Sequence, residues 1–69
     1  MVNYVHKYRK ALKMTQEEFA SQCGVTRQTI ISIEQGKYVA SLPLALKMAQ
    51  IFNVKVEDLF SLEEKEEVK

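Results

Sequence analysis

Arg27, Gln28, Thr29, Ser32 and Gln35 lie within nine residues, and each can form hydrogen bonds through its side chain. None has a partner that would make it a nucleophile or a general acid, so their chemistry is recognition of polar edges. At about 100° per residue, Ile30 and Ile33 share one face of a helix through this stretch and must point inward. The opposite face then carries Gln28, Ser32 and Gln35, with Arg27 and Thr29 on its flanks. Side chains of these types meet base edges and phosphates. Ile31 falls nearer the outer face than the core, an unusual place for isoleucine. Catalysis finds no such support. The chain has one histidine and one cysteine, and neither paired carboxylates in a recognisable setting nor a glycine-rich phosphate loop. We read it as no enzyme, with no metal and no cofactor.

The flanking residues supply the elements that must hold this face outward. Thr15 is an N-cap, and Glu18 three residues later completes a capping box. A helix from Gln16 to about Cys23 follows, with Phe19, Ala20 and Cys23 inward. Gly24 suits the left-handed residue just past a helix, Val25 is buried in the turn, and Thr26 caps the next helix, Arg27–Gln35, which Gly36 ends. Two helices around a short glycine-containing turn describe a helix-turn-helix, whose second helix can enter the DNA major groove.

At these residues the chain resembles a family. The segments TQEEFA, GVTRQTI and IEQGKY, continued by SLPLALKMAQIF and VKVEDLF, are similar to the Cro and phage-repressor (Xre) type of helix-turn-helix regulator over about residues 3–60. The resemblance implies an all-α, lambda-repressor-like domain of five helices that binds double-stranded operator DNA as a dimer, most often as a repressor. It implies base contacts from Arg27 (to guanine), Gln28 (to adenine), Thr29 and Ser32, and helical phase agrees for Gln28 and Ser32. Phosphate contacts fall to Thr15, Gln16, Gln35 and Lys37. Ile31, placed outward by phase alone, would meet a thymine methyl. The resemblance also pairs Arg9 with Glu34, tying the first helix to the end of the third. Lys13 departs from the family pattern, which commonly has glycine there. The loop Lys37–Ala40 also departs, since Val39 and Ala40 stand where basic residues or proline are common.

Elsewhere, Asn3 is a plausible N-cap for a helix through Leu12, with Val5, Tyr8 and Leu12 inward and His6 solvated and alone. Ser41 caps a fourth helix with Pro43 in its first turn, and its buried stripe is Leu42, Ala45, Leu46, Ala49 and Phe52. Asn53 ends it, and a short fifth helix spans Glu57–Phe60. Residues 1–60 read as the DNA-binding domain and 61–69 as a mobile acidic tail. Net charge is +1, but residues 1–47 hold seven Lys/Arg against three Asp/Glu (+4) and residues 48–69 three against six (−3), a polarity consistent with one face meeting phosphates. The lone Cys23 reads as a small buried hydrophobe. No apolar run suits a membrane span, so the expected location is the cytoplasm. Apolar residues in the C-terminal half exceed what one small core can cover. Val39, Leu42, Leu44, Ile51, Leu59, Phe60 and Leu62 cannot all point inward, and Leu44 and Ile51, seven apart on one helix face, mark a homodimer surface for an inverted-repeat operator. The competing reading keeps the fold but makes it a protein-binding module, such as an antitoxin or bridging factor. Weak overall charge, exposed Ile31 and the acidic tail lean that way.

Overall fold

The computed structural model describes residues 2–62. Five helices follow a two-residue strand: β1 (Val2–Asn3), α1 (Val5–Ala11), α2 (Gln16–Cys23), α3 (Arg27–Glu34), α4 (Leu42–Phe52), α5 (Val56–Leu59) and a closing strand β2 (Phe60–Ser61). Local chemistry starts each of the central helices. Thr15 Oγ1 accepts the Glu18 N–H at 3.0 Å while Glu18 Oε1 accepts the Thr15 N–H at 2.8 Å, a complete capping box. Thr26 and Ser41 cap α3 and α4 through the N–H groups of Thr29 and Leu44. Helices α1 to α4 all end in the same hydrogen-bond pattern. In each, a left-handed residue (Lys13, Gly24, Gly36 or Asn53) bonds back three residues, and the residue after it bonds back five. Gly24, at φ 77°, meets nothing within 4 Å of a notional Cβ, so backbone conformation alone selects glycine in the turn.

The core is Val5, Phe19, Ile30, Ile33, Met48 and Leu59, all fully buried, one or two from each helix. Phe52 of α4 stacks between Phe19 of α2 (ring centroids 4.8 Å apart) and Tyr8 of α1 (5.6 Å). Cys23 is buried, and desolvation pushes its thiol up to about 11 against a smaller opposing pull from the Lys47 charge, which leaves it an inert hydrophobe.

Several expectations are corrected. The chain start is a strand rather than a cap: Val2 pairs with Ser61 and Asn3 with Phe60, antiparallel. Asn3 precedes the true cap residue, Tyr4; its Oδ1 accepts the Val5 N–H at 3.1 Å and its Nδ2 donates to the Ile33 carbonyl at 2.9 Å. The folded unit therefore includes Ser61, and the expected tail beyond residue 62 lies outside the described residues. In α1 the inward position expected for Leu12 belongs to Arg9; Leu12 is exposed because α1 ends at Ala11. In α4 the buried line is Ala45, Met48, Ala49 and Phe52, which rotates Leu42 (67% exposed) and Leu46 (48%) outward. Leu44 and Ile51 sit on the other flank, packed against the core. The fifth helix starts and ends one residue earlier than expected.

Lys13 takes φ 59°, the same left-handed conformation that glycine fills at the ends of α2 and α3. A side chain there costs about 1 kcal/mol, partly offset by its lower unfolded-state entropy. Lys13→Gly should therefore raise stability by about 0.5 kcal/mol, read as a higher urea midpoint with unchanged slope.

Candidate nucleic-acid interface

Because α3 buries Ile30 and Ile33, its other side is turned to solvent. Arg27, Gln28 and Gln35 are exposed, while Thr29, Ile31 and Ser32 are half-buried. Gln28 Nε2 reaches Ser32 Oγ at 3.4 Å, so two residues one turn apart form a linked polar pair. Thr29 is drawn to the cap, its hydroxyl 3.0 Å from that of Thr26. A groove beside this face is lined by Thr26, Gln28, Thr29, Ser32, Lys37 and Tyr38. The fold thus brings Gln28, Thr29, Ser32 and Lys37 together, while Arg27, Ile31 and Gln35 are not among the lining residues. Thr26 and Tyr38 were missed by sequence reasoning. Thr26 reads from sequence only as a cap, and a single aromatic in a loop carries no periodic signal.

The α2 start is arranged differently. Thr15 lines a separate open concavity with Leu12, Lys13, Met14 and Glu17. Gln16 is half-buried, and its Nε2 donates to Glu34 Oε1 at 3.1 Å. That bond makes Gln16 part of the cluster which fixes the two helices to each other.

At the centre of that cluster are Arg9 and Glu34, whose side chains are 7% and 6% exposed. Arg9 Nε donates to Glu34 Oε2 at 2.6 Å, Nη2 to Oε1 at 3.3 Å, and Nη1 to the Met14 carbonyl at 2.7 Å. This is the bidentate geometry that arginine offers a carboxylate. His6, expected alone in solvent, has an exposed ring whose Nδ1 lies 3.4 Å from Glu34 Oε1 and 3.3 Å from Arg9 Nη2. Burial alone would raise the Glu34 pKa. The hydrogen bonds from Arg9 and Gln16, the Arg9 charge and the His6 contact outweigh it and hold the carboxyl below its ordinary value.

Among the described residues no group of three or more His, Cys, Asp or Glu could hold a metal ion, and no helix is long and apolar enough to cross a membrane.

Comparison with known proteins accords with this geometry. Residues 5–59 match the helix-turn-helix family. An HTH-type transcriptional regulator of Methanocaldococcus jannaschii is 52% identical over 66 residues, covering 96% of this chain and 100% of that protein. One from Archaeoglobus fulgidus is 48% identical over 62 residues, 90% of this chain and 87% of its own. Among solved structures, the restriction-modification controller protein C.AhdI from Aeromonas hydrophila superposes with a TM-score of 0.74 at 28% identity, over 81% of this chain and 85% of that one. The SOS-response repressor LexA from Eubacterium rectale shares the fold, with a TM-score of 0.78 at 23% identity over 94% and 69% of the two chains.

Removing Arg9 would leave a buried carboxylate unpaired. Arg9→Ala should cost about 3 kcal/mol, Glu34→Ala a similar amount, and the double mutant clearly less than their sum. Since folding lowers the Glu34 pKa, the pair's full contribution is present above the ordinary carboxylate value of 4.5 and is lost as pH falls through the folded pKa. Urea midpoints followed down through the carboxylate range should fall less steeply in Glu34→Gln than in wild type.

Proposed function

The chain belongs to the Xre type of helix-turn-helix transcriptional regulators, which bind DNA, and on that premise we propose that it is a repressor that reads an inverted-repeat operator as a homodimer, with α3 in the major groove. The observation that carries this is the outward face of α3, where Arg27 and Gln28 are exposed and Ser32 is paired with Gln28. Arg27 presents a fork that matches guanine, and Gln28 an amide that matches adenine. Thr29 and Ser32 add shorter contacts. Lys37 and Gln35 at the C-terminal end, with Thr15 and Gln16 at the start of α2, meet phosphates and set register. Such a regulator acts in the cytoplasm, on double-stranded DNA, without a cofactor or catalytic step.

One recognition helix reads too few base pairs to select an operator, and a twofold dimer supplies a second about 34 Å away. Exposed Leu42 and Leu46 border a groove with Ala49, Val54 and Val56, and Lys55 and Glu57 lie in its lining. This surface belongs to α4 and α5 and leaves α3 open. An isologous contact across it buries the leucines and sets Lys55 within reach of a second copy's Glu57.

Fluorescence anisotropy with a selected operator and a mixed-sequence duplex, at two salt concentrations, tests the DNA reading against the protein-binding alternative, which predicts no duplex affinity. Arg27→Ala and Gln28→Ala should each lose roughly 1–3 kcal/mol and relax preference at one base position, whereas Lys37→Ala should weaken all duplexes alike and lower the salt slope by about one. If Arg27→Ala weakens every duplex alike, its role is phosphate contact. For the dimer, Leu46→Glu should shift sedimentation equilibrium at micromolar concentration to monomer without unfolding the chain. A wild-type monomer that persists on operator DNA would remove the dimer from the proposal.

A further inference from the structure

Tyr38 follows Lys37, the only charged residue between α3 and α4, and is 51% exposed. Its hydroxyl has no hydrogen-bond partner among the described residues. Tyr38 lines two concavities. One is the groove shared with Gln28, Thr29 and Ser32; the other holds Asn3, Gly36, Val39 and Phe60 beside the β1–β2 pair. Tyr38 therefore stands between the β1–β2 pair and the groove beside the outward face of α3.

Three of that groove's other lining residues, Gln28, Thr29 and Ser32, are ones that on the reading above enter the major groove. Groups on major-groove base edges are hydrogen-bond donors and acceptors with one apolar exception, the thymine 5-methyl. A tyrosine that lines the same groove as Gln28 and Ser32 can offer a ring face there, and that methyl is the base-edge group a ring face complements. We propose that Tyr38 determines specificity by forming, with α3, a pocket for one thymine methyl of the operator. The proposal rests on the DNA-binding function proposed for this chain.

The test begins with selection of a bound site from a random duplex library by the full chain. Each thymine of the selected site is then replaced singly by deoxyuridine, which removes the methyl and retains the hydrogen-bonding edge. Wild type should lose about three- to fivefold in affinity at one thymine per half-site, the worth of one buried methyl. Tyr38→Ala should bind the thymine and deoxyuridine versions of that site equally, and Tyr38→Phe, which keeps the ring, should retain the discrimination. Equal losses in wild type and Tyr38→Ala would overturn the pocket, as would a selected site without thymine or a Tyr38→Ala defect that is uniform across all duplexes. Failure of the library to yield any enriched site would overturn the DNA reading itself, and the pocket with it.

Discussion

The Arg9–Glu34 ion pair is the constraint on which the placement of the outward face of α3 depends. Two charges at 7% and 6% exposure have been taken out of water, and their attraction repays that cost only if the remaining donors and lone pairs are also satisfied. Here they are. The guanidinium spends its donors on both carboxylate oxygens and on the Met14 carbonyl, and the carboxylate receives Gln16 as well. Those partners come from α1, the α1–α2 connection, the first residue of α2 and the last of α3. A hydrophobic replacement would hold these pieces together without fixing their angles, since apolar contact is non-directional. The bidentate pair fixes them, and with them the direction in which α3 presents Gln28 and Ser32.

The rest of the scaffold compensates for small size. A chain this short buries a modest share of its surface, so loose ends are costly. The β1–β2 pair joins both ends of the described chain, and Tyr4 donates to the Leu59 carbonyl at 2.9 Å beside it. Asn3 adds a second tie, from the clasp to the Ile33 carbonyl in the last turn of α3. The ends of α3 are thus held on three sides: the Thr26 cap at its start, Glu34 at its end, and Asn3 behind it.

What was legible in the sequence was the part determined locally. The caps at Thr15, Thr26 and Ser41, the left-handed Gly24 and Gly36, and the inward phase of Ile30 and Ile33 each depend on residues within one or two turns. The outward position of Gln28, with Arg27 on its flank, follows from that phase. The clasp was not legible, because strands of two residues leave no alternation to read. Neither was the rotation of α4: eight of its eleven residues are Leu, Ala, Met, Ile or Phe, and a helix apolar on nearly every side does not declare which flank is covered. The first helix misled for a different reason. Its inward position is an arginine, which apolar periodicity assigns to solvent, and only the resemblance paired Arg9 with a distant carboxylate. His6 was missed for the same cause, since its neighbour Glu34 is 28 residues away.

The sparse charge of this chain bears on how the proposed recognition divides between affinity and specificity. Non-specific affinity for DNA grows with the number of phosphates neutralised, since each releases condensed counterions. Between the start of α3 and the start of α4 the only cations are Arg27 and Lys37, and the chain as a whole carries +1. On the proposed reading the α3 face itself neutralises few phosphates, and the rest of the positive charge of residues 1–47 lies on the segments before α3 and at Lys47. On that reading, preference for an operator would come from contacts that read base identity: the Arg27 and Gln28 edges, the Ser32 hydroxyl linked to Gln28 and the groove beside them. Weak background binding favours discrimination, because a genome offers vastly more non-specific sites than operators. In the proposed dimer, two copies joined through the exposed Leu42–Leu46 flank would combine their base contacts in a single binding event, so that neither lightly charged face has to supply operator affinity alone.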